Sequence, residues 1–154
     1  MATNKNEEFT PDWCNEAPPE GSYRSILKWG DPKEFKHPNP RLYELMKKVF
    51  NMTDEDFKER QKMGLEKVDF DNPINLSKEQ IDEIKKIVGE ENVKIDNYSR
   101  LQIAYGKTMI DLMRLREGIV ENIPDIVLHP RNKEDIQNIV KYCNEHKIPV
   151  YVYG

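Results

Sequence analysis

Few side chains of this sequence can carry chemistry, and their spacing limits what that chemistry is. The three histidines, His37, His129 and His146, are scattered, and neither His37 nor His146 has a carboxylate or cysteine at metal-ligand spacing. No metal site is expected. Cys14 and Cys143 lie at opposite ends of the chain, so they are neither a disulfide framework nor a ligand cluster, and neither has a basic sequence neighbour to lower its pKa. Cys143 reads as a small apolar core residue. Four cations, Arg100, Lys107, Arg114 and Arg116, have two readings. They either meet phosphates or an acidic substrate, or they pair with nearby acids such as Asp111 and Glu117, the usual fate of arginines that flank an apolar turn.

The composition narrows the classes open to such residues. The chain has 154 residues, room for one ordinary domain with a short appendage. Its 24 Lys and Arg against 28 Asp and Glu leave a net charge of -4, with no basic surplus to neutralise a phosphate backbone. Nucleic acid is therefore not an expected partner. No apolar run approaches the ~20 residues that span a bilayer, and the polar stretch from Met1 to Glu8 lacks the apolar region of a signal peptide. These features predict a soluble, unsecreted, cytoplasmic protein with reduced thiols and no transmembrane segment.

The elements that must position these residues follow from periodicity. Six of the ten prolines fall within residues 1–40, which predicts an extended arm. Tyr23, Ile26, Leu27 and Trp29 are its one apolar cluster, a segment suited to docking on something larger. A mainly helical region is expected over 41–118. Leu42, Leu45, Met46, Val49 and Phe50 form one helical stripe, which predicts a buried face. Thr53 can cap a second, superficial helix that Gly64 would stop. Ser77 and Gln80 spell a capping box before the stripe Ile81, Ile84, Ile87 and Val88, with Gly89 placed for a left-handed cap. Val93 to Ile95 suggests a short strand, and Ile110 to Leu115 a helical turn or two closed at Gly118.

Beyond residue 118 the pattern changes. Ile126, Val127 and Leu128 form a short apolar run ended by Pro130, and Asn132 can cap a helix with Glu134 and Asp135 in its first turn. Ile136, Ile139, Val140 and Cys143 stripe that helix, and His146 and Lys147 suit its negative end. Val150 to Tyr153 is rich in strand formers. Strand, helix and strand within about thirty residues predict one βαβ unit with parallel strands. Ligands of such sheets bind beyond the carboxyl ends of the strands, where Gly154 stands.

The segments Tyr105-Gly106-Lys107-Thr108, Leu115-Arg116-Glu117-Gly118 and Ile123-Pro124-Asp125-Ile126-Val127-Leu128-His129-Pro130, with the helix and strand that follow, resemble the FAD-linked oxidases of the vanillyl-alcohol-oxidase (PCMH) type. The closest likeness is to the alkyldihydroxyacetonephosphate synthase-like branch and its bacterial FAD-binding relatives, and Leu27-Lys28-Trp29-Gly30 resembles a segment near the start of that branch's shared region. The resemblance implies an α+β fold, in which the proline-rich arm (1–40) and the helical region (41–118) precede the first βαβ unit of a PCMH-type FAD-binding domain (119–154). In that family a glycine-rich loop after the strand wraps the FAD pyrophosphate. The contacts carry over onto Val152, Tyr153 and Gly154. No catalytic residue carries over, because the substrate domain has no counterpart in these residues. His129 would be a flavin neighbour or a solvated strand-end residue, and Tyr153 would stack on the cofactor or pack against protein.

Two functional classes stand at this stage. In the first, the chain is the N-terminal part of an FAD-dependent oxidoreductase or of an alkyldihydroxyacetonephosphate synthase-like flavoenzyme acting on a small-molecule substrate. It would be inactive alone and would bind FAD poorly, since one glycine cannot supply the N–H donors a pyrophosphate needs. In the second, it is a flavin-free binding or assembly module that uses its arm and an open sheet edge, as a homo-oligomer or with a complementing chain.

Overall fold

The computed structural model describes residues 17–27, 40–58, 64–106 and 108–153. The chain divides into two compact units, Met1–Lys67 and Val68–Gly154.

The first unit contains three helices, α1 (Tyr23–Leu27), α2 (Pro40–Phe50) and α3 (Asp54–Lys58). The expected extended arm is interrupted by α1, because Tyr23 and Ile26 bury their side chains one helical turn apart. The segment does dock, and its seat is local. Ser22 bridges Lys67 in an antiparallel sense, Tyr23 N–H donates to Glu66 O at 3.2 Å, and Arg24 N–H donates to Gly64 O at 2.7 Å. Gly64 has a φ of +68°, and a Cβ there would lie 3.3 Å from both Tyr23 Cβ and Arg24 N. Only glycine fits that close approach without strain. Trp29 lies outside the described residues.

Helix α2 forms where the periodicity predicts it, but the expected burial of its stripe is reversed. Leu42, Leu45, Val49 and Phe50 are each more than half exposed, and Tyr43 is buried. The polar side of α2 has the stronger local partner. Tyr43 packs its ring 4.5 Å from that of Phe57 and donates its hydroxyl to Asp54, which also accepts from Lys47 Nζ at 2.6 Å. At the start of α3, the Asp56 carboxylate accepts from Thr53 N–H at 2.6 Å and from Thr53 Oγ1 at 2.8 Å.

The second unit carries α4 (Lys78–Val88), β1 (Val93–Lys94), α5 (Asn97–Ala104), α6 (Met109–Arg116), β2 (Val127–Leu128) and α7 (Lys133–His146). The capping box closes reciprocally, with Gln80 N–H to Ser77 Oγ at 3.2 Å and Ser77 N–H to Gln80 Oε1 at 2.9 Å. Gly89 takes φ 87° and ψ 141°, so it ends α4 through a glycine conformation that is extended in ψ rather than left-handed helical. A single 3₁₀ turn, Glu90–Asn92, then returns the chain as β1.

The core lies between α4, the strand pair and α7. Ile84, Val88, Val93, Ile139 and Cys143 are buried together, with Leu76, Ile87, Ile126, Leu128, Tyr142 and Ile148 packed around them. Cys143 is therefore the small core residue its stripe position predicts, and burial raises its thiol pKa. The stripe of α7 is only half used, since Ile136 and Val140 are about half exposed.

The strand pairing departs from the expected βαβ unit. β2 pairs with β1, antiparallel, with Val93 opposite Leu128 and Lys94 opposite Val127. Residues 150–153 form no strand. A ladder needs a neighbour for its N–H and C=O groups, and this stretch has none among the described residues. Val152 is wholly exposed. No helix among the described residues is long and apolar enough to cross a membrane.

Candidate functional site

The Pro124-Asp125-Ile126-Val127 segment is where the sequence-predicted motif and the structure meet, and a buried polar clamp holds it. Asp96 caps α5 by accepting from Ser99 N–H at 2.9 Å, which sets Arg100 one turn into the helix, facing inward. Arg100 is only 2% exposed. Its Nε donates to Pro124 O at 2.8 Å, one terminal nitrogen to Asn72 O at 3.0 Å, and the other to Asn97 Oδ1 at 3.3 Å. The guanidinium lies 5.7 Å from the centre of the Phe70 ring. Burial lowers its pKa, and the nearby Asp125 carboxylate pulls it back up. Asn97 in turn donates to Phe70 O at 2.9 Å, and Asp125 accepts from Asn75 N–H at 2.8 Å and from its side-chain amide at 3.1 Å. Residues 70–75, 97–100 and 124–125 are thus tied into one block at the entry to β2.

A second set of bonds closes the 105–121 segment on itself. Tyr105 is buried, and its hydroxyl donates to Ile119 O at 2.9 Å and accepts from Glu121 N–H at 3.0 Å. Thr108 and Asp111 cap α6 as a reciprocal box. Arg114 pairs with Glu121, while Asp111 serves the cap. Arg100 and Arg114 are therefore engaged by protein groups. Lys107 lies outside the described residues, as does the side chain of Arg116.

At the far end of β2 the chain turns into α7 through a third clamp. His129 is exposed, and its N–H donates to Asn92 O at 2.9 Å, extending the strand pair by one bond. Arg131 grips the Asp135 carboxylate with two donors, Nε at 2.8 Å and Nη2 at 3.0 Å, and its own N–H adds a third bond at 3.0 Å. Nη2 also donates to Ile87 O at 3.0 Å, so the start of α7 is pinned to the last turn of α4. Asn132 caps α7 by accepting from Asp135 N–H at 2.9 Å. The sequence reading takes Asp135 as a first-turn acid and passes over Arg131. The signal available was the i, i+4 spacing of the two opposite charges.

The hydrogen bonds from Arg131 hold the Asp135 carboxyl below the ordinary carboxylate range. A group whose folded pKa is depressed stabilises the fold above its unfolded pKa and loses that contribution as pH falls through the folded value. Asp135→Asn is accordingly expected to lower the urea midpoint at pH 7, with the gap to the parent chain closing as pH falls below ~4, where the unfolded carboxylate also protonates. A gap that stays constant from pH 7 to pH 3 would show that the charge of Asp135 contributes nothing.

Of the three residues that resemblance assigns to the cofactor, Val152 and Tyr153 lie in the exposed stretch beyond α7, and Gly154 is outside the described residues. Among the described residues, no three His, Cys, Asp or Glu side chains gather as metal ligands do.

No protein-family model and no solved structure matches the chain. Curated proteins do. It is similar to the alkyldihydroxyacetonephosphate synthase of Trypanosoma brucei brucei, 31% identical over 74 residues, which cover 48% of this chain and 12% of the relative. It is similar to the synthase of the same name from Dictyostelium discoideum, 25% identical over 149 residues, covering 82% of this chain and 24% of the relative. The mitochondrial cytochrome-type D-lactate dehydrogenase of Arabidopsis thaliana is 36% identical over 79 residues, covering 51% of this chain and 12% of the relative. The chain spans a quarter or less of the length of these relatives. All three are members of one FAD-binding family. On these matches, the chain is similar, at low identity and over part of each relative, to FAD-linked oxidases of the PCMH type.

Proposed function

We propose that residues 119–154 open an FAD-binding domain, within a flavoenzyme that is either an oxidoreductase or an alkyldihydroxyacetonephosphate synthase-like transferase acting on a small-molecule substrate, and that this chain is inactive alone. The observation that carries the reading is the likeness to relatives of an FAD-binding family, beside the family-like Ile123 to Pro130 element whose Pro124 and Asp125 are held by Arg100 and Asn75. The match to a synthase extends over 82% of the chain and that to the D-lactate dehydrogenase over 51%, which favours the synthase-like branch. When bound, FAD supplies the redox or group-transfer chemistry. This chain's part is to hold β2 and α7 in fixed register and to leave Val152 and Tyr153 open to the pyrophosphate.

Titrating FAD into the chain by calorimetry tests the division of labour. Three residues at the edge of the pyrophosphate site offer too few N–H donors for a dinucleotide, so binding weaker than micromolar is expected. A micromolar or tighter dissociation constant would overturn the proposal that the cradle needs more than these residues.

A further inference from the structure

We draw no further inference here: the strongest candidate, the exposed apolar side of α7 at Ile136 and Val140, carries nothing because nothing in the structure shows what covers it.

Discussion

Replacing Arg100 with methionine is expected to lower the stability of the second unit by about 3 kcal/mol, because the half-buried Pro124 and Asn72 carbonyls lose the charged donors of a buried guanidinium and keep part of their desolvation cost. Methionine preserves the apolar stem of the side chain, so the loss reports on the guanidinium rather than on packing. Arg100→Lys is expected to recover less than half, since an ammonium cannot reach three acceptors that a planar fork spans. The urea midpoint followed by circular dichroism gives the comparison. A methionine variant that melts with the parent chain would contradict the clamp, and a lysine variant at parental stability would contradict the fork.

Ile84→Ala is expected to cost about 2–5 kcal/mol, and Ile84→Val about 1 kcal/mol, since Ile84 is 1% exposed at the centre of the cluster that joins α4 to α7. The same truncation at Ile136, on the exposed side of α7, is expected to cost less than about 0.5 kcal/mol. Amide hydrogen exchange in α4 and α7 reads both. Equal losses at the two positions would mean that Ile136 is buried as Ile84 is, as the sequence stripe of α7 alone suggests.

What the sequence made legible was local. The Ser77 and Gln80 box, the Asn132 cap and the stripe of α4 are written within one or two turns, and each forms where the pattern places it, while the stripe of α7 buries only Ile139 and Cys143 and leaves Ile136 and Val140 half exposed. Helix α6, eight residues from Met109 to Arg116, is the helical turn or two expected from its apolar residues, and the Thr108 and Asp111 box that starts it is a signal of the same local kind that the sequence reading passed over. Helix α2 shows where periodicity stops being informative. It sets a helix and an apolar side, but a pairing of Tyr43 and Lys47 with Asp54 decides which side faces α3.

The clamp on β2 was not legible as such, for a related reason. Arg100 reaches acceptors 24 and 28 residues away, and both are main-chain carbonyls, which every residue possesses. No residue type at those positions announces the contact. The pairing of β2 was hidden in the same way. Val93 to Ile95 and Ile126 to Leu128 each read as a strand, yet nothing in either run states that they pair with each other, antiparallel. The motif residues Pro124 and Asp125 drew attention through family resemblance, and the structure supplies their physical work: one gives its carbonyl to Arg100, the other its carboxylate to Asn75.

The central claim is that this chain serves as the opening part of a flavin-binding domain. The most direct test is to substitute it for the matched region of the Dictyostelium discoideum synthase, purify the hybrid by gel filtration, and measure flavin absorbance per mole of protein. The account predicts a yellow protein that carries close to one FAD per chain. A hybrid that is folded by circular dichroism yet colourless, and remains so after incubation with excess FAD, would contradict it.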